Sequence, residues 1–401
     1  MEFRPIISAL LRNKVGALLI AVQIAITLAV ITNAVFIIKE RATDIARPAG
    51  LDEENSFTVA SLLFKEEIDN VQQIREDLAN IRALPGVVAV TPMGQIPLSG
   101  SGWGEDYTLD QSDPESSFSF NQYLADEHGL EALDLEMVEG RYYTPEEITI
   151  REPNSAGYPN IIVISKPLAD EMFPEESAVG KIVYDDEISG PTTIIGVYDD
   201  MKGAWPNWRA FNNTSIMGQI GNSPRATYMI RAEPGQRDRL MADVEALMEK
   251  NRGRLVLRVR SMEDTIARTY SRDRAMIILL SAVVALLAVI TALGIVGLAW
   301  FSVSQRRKSI GTRRALGARK LDILRYFMLE NWIVTSSGLL VGGIMTLMLN
   351  YFLDTSFQIG RIDWYFLPVG MIFLWTLGQF AVLLPARRAA NIAPAMATRS
   401  V

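Results

Sequence analysis

The chain contains 401 residues, of which 49% are hydrophobic and 21% are charged, and its formal net charge is −7. This length is enough for two or three domains, and the mixture predicts membrane spans joined to a sizeable polar domain. The absence of cysteine excludes disulfides, zinc–thiolate sites, iron–sulfur clusters and cysteine nucleophiles from these residues. A single histidine, His128, disfavours a metalloenzyme and a histidine general base. We therefore predict no catalytic residue and no metal site.

The N-terminal region predicts a surface helix followed by a membrane span. Residues 2–12 place apolar side chains around a short helix that begins near Pro5, which predicts an interfacial helix within residues 1–14. A frayed terminus is the alternative. Residues 15–38 carry no charge and are long enough to cross a bilayer core of about 30 Å. This run is longer than the roughly 7–15 apolar residues of a signal peptide and its end offers a poor cleavage site, so we predict a retained span.

Residues 39–274 predict a large α+β domain outside the membrane. Two strand–helix–strand units, within residues 50–114 and 226–260, are typical of a split β-α-β sandwich with helices on one sheet face. The first helix is indicated by apolar residues at helical spacing from Ile68 to Leu84. The middle segment, residues 115–200, is mostly strand-like and predicts an inserted β subdomain.

A glycine-rich segment in this domain superficially resembles a phosphate-binding loop. Residues 100–105 read Gly-Ser-Gly-Trp-Gly-Glu, but no helix follows at once. We therefore predict a flexible surface loop there. His128 has no ligand-like spacing around it, and we predict no cofactor bound by the chain itself.

Residues 261–274 are predicted to form a stalk. A serine at the N-cap and an acid three residues later form a capping box at its start. No proline follows before Pro368, and a single helix from Met262 to about Val303 would be ~63 Å long, which exceeds the bilayer core by ~30 Å. A break between residues 270 and 274 is the alternative. The predicted stalk residues are Ser261, Asp264, Arg268 and Arg272.

Three further apolar runs are long enough to span the membrane, namely residues 275–303, 332–353 and 365–384. Lys and Arg concentrate at the N-terminus, in residues 304–331 and in the tail, residues 385–401, whereas the loop 354–364 has no basic excess. The positive-inside rule then predicts cytoplasmic termini and an external segment 39–274. That segment has 24 Lys and Arg residues against 41 Asp and Glu residues, so its formal net charge is −17. The rest of the chain therefore has a formal net charge of +10.

The segment between the second and third predicted spans is strongly basic. Between residues 304 and 325 there is one acid, Asp322, and the cations are Arg306, Arg307, Lys308, Arg313, Arg314, Arg319, Lys320 and Arg325. Leu316, Leu321 and Leu324 predict one apolar face of a short helix along the membrane surface, and Gly317 permits a sharp turn. Topology explains this charge better than nucleic-acid binding does. An ordinary positive-inside loop is the alternative to a docking element.

The same segment carries a family resemblance. Residues 306–324 read Arg-Arg-Lys-Ser-Ile-Gly-Thr-Arg-Arg-Ala-Leu-Gly-Ala-Arg-Lys-Leu-Asp-Ile-Leu and resemble the signature of FtsX-like permeases of the MacB type. The chain departs from that signature at Ser309 and Thr312, where glutamate and isoleucine are frequent, and residues 395–397 replace a P-x-E-A-L ending. Such drift is compatible with a heterodimer of non-identical permeases. Further similar patterns are Glu330, Gly342-Gly343, residues 385–390 with Pro394, residues 138–143 and residues 195–197.

The resemblance implies four spans and a porter-like outer domain with an inserted all-strand part, in a bacterial inner membrane with both termini cytoplasmic. It implies a homo- or heterodimer of permeases, each docked on a cytoplasmic ABC ATP-binding subunit. The chain contains no Gly-x-x-x-x-Gly-Lys-Ser/Thr motif, so we expect ATP and Mg²⁺ on a separate partner. The predicted ATPase-coupling residues are Ile310, Gly311, Arg313, Arg314, Ala315, Leu316, Gly317, Ala318 and Asp322.

The function implied by the resemblance is mechanotransmission, in which ATP-driven association of the ATP-binding subunits moves the stalks and outer domains. A peptide, drug or similar periplasmic substrate would then leave through a periplasmic adaptor and an outer-membrane channel. One alternative is a lipoprotein-releasing permease of the same family. Another is a non-transporting FtsX-like regulator of a cell-wall hydrolase, which the external segment of about 236 residues disfavours.

Overall fold

A computed structural model of the protein describes residues 14–64, 69–111, 117–153, 160–185, 190–206, 208, 211–250, 253–357 and 359–392. The predicted interfacial helix and the family-like tail beyond residue 392 lie outside the described residues. The chain divides into a membrane unit, Met1–Thr43 with Asp273–Val401, and an extramembrane unit, Asp44–Arg272. Each unit is described by itself below.

The described helices are α1 (Lys14–Ala46), α2 (Asn70–Arg82), α3 (Gly129–Leu133), α4 (Lys166–Met172), α5 (Arg237–Glu249), α6 (Met262–Thr269), α7 (Ser271–Gln305), α8 (Arg307–Ala315), α9 (Lys320–Phe357) and α10 (Phe366–Ala390). The described strands are β1 (Ser56–Leu63), β2 (Val87–Pro92), β3 (Gly104–Thr108), β4 (Ser117–Ala125), β5 (Met137–Gly140), β6 (Thr149–Arg151), β7 (Ile161–Ser165), β8 (Ile182–Asp185), β9 (Thr192–Tyr198), β10 (Thr214–Gly221), β11 (Arg225–Ala232) and β12 (Arg254–Ser261).

The first sheet of the extramembrane unit has the order β12–β1–β11–β2, with every neighbouring pair antiparallel. The two predicted strand–helix–strand units both contribute to it. Helix α2 begins at Asp69, whose carboxylate accepts hydrogen bonds from the backbone of the first turn. Ile74 and Leu78 of α2 and Val244 of α5 pack with Val59 in one apolar core, so both helices cover the sheet.

A buried charge pair fixes α2 to this sheet. Asp77 on α2 pairs with Arg254 at the start of β12, and both side chains are almost completely buried. The hydroxyl of Tyr228 on β11 donates to Oδ2 of Asp77 at 2.6 Å, the same oxygen that Arg254 contacts. Because a lone buried charge is costly, the three groups depend on one another for their place in the core.

The second sheet closes on itself. Its order is β4–β3–β8–β9–β7–β10, and β10 also pairs in parallel with β4, which completes a six-stranded ring. The strands β5 and β6 attach to β9 and β10. This barrel runs from Gly104 to Gly221, so the inserted subdomain is wider at both ends than the predicted range 115–200. The subdomain is wider because β3 and β10, which pair with β4 on either side, lie outside residues 115–200.

In the part of the membrane unit that the structure describes, four helices are long and apolar enough to span a bilayer, α1, α7, α9 and α10. Ile24 and Leu28 of α1 and Leu374 of α10 lie in a shared core. On α9, Gly338 and Gly342 lie directly against the backbone of α1. Glycines four residues apart allow such close helix contact. The predicted loop 304–331 proves to be mostly helical, since it contains α8 and the first three turns of α9.

The stalk differs from the prediction of one unbroken helix. Helix α6 ends at Thr269 and α7 begins at Ser271, so Tyr270 interrupts the helix. The hydroxyl of Thr269 donates to the Leu98 carbonyl at 2.6 Å, and the hydroxyl of Ser271 donates to the Arg268 carbonyl at 2.6 Å. Such side-chain bonds to the backbone compete with helical bonds. The alternative, a break near residue 270, is correct.

Candidate coupling site

The basic segment folds as two helices joined by a tight reversal. Helix α8 ends at Ala315, and Gly317 has φ of 99°, a left-handed conformation that favours glycine. Its N–H donates to the Arg314 carbonyl at 3.2 Å. The carboxylate of Asp322 accepts the N–H of Arg319 at 2.9 Å and so caps the start of α9. The chain therefore turns back within residues 316–319.

An apolar core joins this helical pair to the end of α10. Ile310 of α8 and Ile323 and Phe327 of α9 are buried together with Ala386 and Ala389 of α10. The alanines leave room for the larger side chains. Two of the predicted coupling residues, Ile310 and Gly311, are buried within this chain.

A charged clamp closes the base of the pair. The guanidinium group of Arg306 donates to both carboxylate oxygens of Glu330, at 2.9 and 3.1 Å, and to the hydroxyl of Tyr326 at 3.0 Å. Arg313 lies over the Tyr326 ring, 5.4 Å from its centre. Two-pronged arginine–carboxylate bonds fix orientation as well as distance. This role of Glu330 was not predicted from the sequence, although an acidic residue beside a predicted span is a usable signal.

The reversal between α8 and α9 exposes apolar side chains among basic residues. Leu316 is 84% exposed, and Leu321, at the start of α9, is 58% exposed. The guanidinium group of Arg314 donates to the Ala318 carbonyl at 3.2 Å, and both residues are half-buried. The predicted coupling residues exposed around this reversal are Arg313, Ala315, Leu316, Gly317 and Asp322. We call these five residues the coupling tip. Its chemistry suits an apolar cleft with an acidic rim.

The predicted stalk residues lie at α6 and the start of α7. The hydroxyl of Ser261 accepts the N–H of Asp264 at 3.1 Å, which caps α6 as the sequence predicts. Arg268 and Arg272 are exposed and line a pocket of the extramembrane unit.

A buried lysine joins several segments of the extramembrane unit where the helices enter it. Lys202 is 3% exposed and donates to the Asp44 carbonyl at 2.7 Å and to the Tyr270 hydroxyl at 3.0 Å. Burial lowers the pKa of Lys202. Arg47 pairs with Asp200 at 2.5 Å beside it. The end of α1, the break at Tyr270 and the segment after β9 are thereby held together. We call this cluster the joint.

Two family models match the chain and together cover most of it. Residues 16–247 match the MacB-like periplasmic core domain, and residues 281–394 match the FtsX-like permease C-terminal domain. The first match alone spans more than half of the 401 residues. The chain belongs to the MacB/FtsX-like permease family. The resemblance inferred from residues 306–324 is thus confirmed, as is the fold of four apolar helices with an α+β periplasmic domain.

Relatives of this MacB/FtsX-like permease include macrolide export ATP-binding/permease proteins named MacB. The protein of Marinobacter nauticus is 25% identical over 369 residues, covering 89% of this chain and 52% of its own length. The protein of an Azoarcus species is 26% identical over 367 residues, covering 88% of this chain and 50% of its own length. The chain therefore spans about half the length of the curated relatives that it matches.

Solved periplasmic regions of the family are similar as well. The periplasmic region of MacB from Actinobacillus actinomycetemcomitans is 16% identical with a TM-score of 0.32, covering 55% of this chain and 94% of that one. The extracellular domain of the ABC-type transporter YknZ from Gram-positive bacteria is 14% identical with a TM-score of 0.31, covering 50% of this chain and 100% of that one. Family membership depends on the two sequence matches alone.

Proposed function

We propose that this chain is the permease subunit of an ABC transporter that works by mechanotransmission. ATP-binding subunits in the cytoplasm would engage the coupling tip, and their closure would move α7 and α9. The observation that carries this proposal is the construction of the tip. Leu316 is 84% exposed at a reversal whose base is fixed by the bonds from Arg306 to Glu330. A rigidly supported and exposed point suits the transfer of force.

The route outward follows from helix continuity. Helix α7 runs without interruption from Ser271 to Gln305, about 50 Å at 1.5 Å per residue. A displacement at its cytoplasmic end would reach the break at Tyr270, where the joint holds the entering segments. We propose that both termini are cytoplasmic and that the extramembrane unit is periplasmic, as the charge distribution predicts.

The proposed transport activity is the export of a substrate. The MacB relatives carry the name of macrolide exporters, and on that basis we propose a drug-like or peptide substrate handled in the periplasm. A second permease, a periplasmic adaptor and an outer-membrane channel would complete the assembly. Deletion of the barrel, residues 104–221, should abolish export while the ATP-binding subunit still co-purifies with the permease.

The docking step is tested by a double charge reversal. Arg313→Glu with Leu316→Glu should lower vanadate-sensitive ATPase activity that co-purifies with the full chain at least tenfold, because it places like charges and a buried carboxylate in the interface. The control is Arg361→Glu with Trp364→Glu in the loop between α9 and α10. Trp364 is also 84% exposed, so the two pairs match in exposure and chemistry. Equal ATPase activity in both variants would refute docking at the tip.

A further inference from the structure

Four arginines of the extramembrane unit line one pocket of about 460 Å³. Arg258 and Arg260 come from β12, whereas Arg268 comes from α6 and Arg272 from the first turn of α7. Apart from Ile96, the remaining wall is polar or small and includes Ser99. Nothing in the proposed transport mechanism uses this pocket.

Alternation along β12 places Arg258 and Arg260 on the same side of the strand. The pairing of β1 with β12 shifts register between Ala60 and Ser61, so one residue of β12 is unmatched. As a result Val256 and Val259 both pack against the core under α2 and α5. The bulge re-aims the side chains on either side of it. Arg258 and Arg260 consequently face away from that core, towards the pocket.

The cluster has an excess of positive charge. Within the described residues, none of the four arginines forms an ion pair with a carboxylate. Partial burial and the neighbouring Arg258 and Arg268 lower the pKa of Arg260, and Asp264 opposes this only in part. An unpaired cationic edge strand also discourages strand pairing with other molecules. That role does not explain why Arg268 and Arg272, on helices, converge on the same pocket.

We propose that this pocket binds a phosphate group. Guanidinium groups bind phosphate through paired hydrogen bonds, and four of them surround a space large enough for a phosphate with its substituent. Arg272 precedes the apolar run that begins at Ala275 by only three residues, which favours the phosphate of a lipid headgroup. A soluble phosphate is the other source with the same chemistry. The pocket thus gives the extramembrane unit an anion site beside its entry into α7.

The test uses the full chain, delipidated in detergent, with two probes. Native mass spectrometry would measure binding of phosphatidylglycerol against phosphatidylcholine, and calorimetry would measure binding of inorganic phosphate. Arg258→Gln with Arg260→Gln should weaken binding of the phosphate-bearing anion at least tenfold, whereas the lysine pair at the same positions should retain most of it. The control, Arg225→Gln with Arg239→Gln, removes the same charge elsewhere on the extramembrane unit.

The results of these binding measurements distinguish a lipid headgroup from a soluble phosphate as the ligand. Arginine-dependent retention of phosphatidylglycerol without binding of inorganic phosphate identifies a headgroup site, and arginine-dependent binding of inorganic phosphate identifies a soluble ligand. Equal binding by the pocket variant and the control variant overturns the proposal, as does binding of neither probe by the wild-type chain. If the β12 variant unfolds, Arg268→Gln with Arg272→Gln on the helices provides the same test. Failure here leaves docking at the coupling tip unaffected, because that experiment measures ATPase activity.

Discussion

The ammonium group of Lys202 donates a hydrogen bond to the hydroxyl of Tyr270, 3.0 Å away, at the single residue that separates α6 from α7. Both side chains are buried. The same ammonium group binds the Asp44 carbonyl in the last turn of α1. The segments that lead to the first and second spans therefore share one polar contact inside the extramembrane unit. A contact of this kind keeps the two segments in fixed register when either one is displaced.

Removal of the lysine should loosen the joint. Lys202→Met removes the two hydrogen bonds that the ammonium group donates to the Asp44 carbonyl and the Tyr270 hydroxyl, and we expect a loss of about 1–3 kcal/mol in the free energy of unfolding. Tyr270→Phe keeps the bond from Lys202 to the Asp44 carbonyl and should cost about 1 kcal/mol. In the assembled transporter, Lys202→Met should reduce transport per ATP hydrolysed. Thermal and denaturant unfolding of the purified chain, with transport and ATPase assays in vesicles, would measure these effects.

Lys166→Met is the matched control, because Lys166 is an exposed lysine of the barrel that pairs with Asp170 in the next turn. Surface pairs of this type contribute little. If the Lys202 and Lys166 variants unfold alike and transport alike, the joint has no mechanical role.

Two glycines of α9 should be intolerant of larger side chains. A Cβ atom on Gly338 would lie 2.7 Å from the Ala21 carbonyl oxygen, and one on Gly342 would lie 2.8 Å from the Cα atom of Ala25. Both neighbours are backbone atoms of α1 and cannot rotate away. Gly342→Leu should therefore separate α1 from α9 and destabilise the bundle by about 1–3 kcal/mol or more. Unfolding in detergent would measure this loss.

Gly297→Leu on α7 is the control for that substitution. A Cβ atom on Gly297 would have no heavy atom within 4 Å among the described residues, other than the backbone of its own helical turns. The same change of residue in the same kind of helix should therefore have little effect. A similar loss at residues 297 and 342 would show that lost helix flexibility, rather than close packing, causes the effect.

The clamp at the base of the coupling site should show strong energetic coupling. Arg306 and Glu330 are both mostly buried and share two hydrogen bonds. Either single variant, Arg306→Gln or Glu330→Gln, leaves one charge without its partner, whereas the double variant removes both. A double-mutant cycle on the unfolding free energy should give a coupling of about 1–3 kcal/mol. Simple additivity of the two single losses would contradict the clamp.

Much of the architecture could be predicted because its signals are local. The charge-free run of residues 15–38 is sufficient to predict a span, and the spacing of apolar residues up to Leu84 predicts α2. The coupling segment was recognisable because its motif is contiguous. Ser261 indicates the start of α6 by the same kind of local rule.

The remaining features depend on contacts between distant positions. The break at Tyr270 is stabilised by Lys202, 68 positions away, and by the bond from Thr269 to the Leu98 carbonyl, 171 positions away. The barrel boundary was misplaced because the parallel pairing of Thr214 with Asn121 closes the ring, and periodicity does not reveal strand partners. The burial of Ile310 likewise depends on the end of α10.

An acid-sensitive ion pair in the extramembrane unit gives a pH prediction. Arg141 donates to both oxygens of Glu147 at 2.7 Å, and these bonds lower the pKa of Glu147 to about 2. Because this pKa is lower in the folded than in the unfolded chain, the stabilisation is complete above about pH 4.5 and is lost as the pH falls towards 2. Glu147→Gln should lower stability at pH 6 but not at the acid end, and so flatten the acid limb of a stability–pH curve. Glu146→Gln removes the same charge one residue away and should leave that limb unchanged. The pair is largely solvent-exposed, so the difference at pH 6 should be small, which calls for denaturant titrations at closely spaced pH values on both variants.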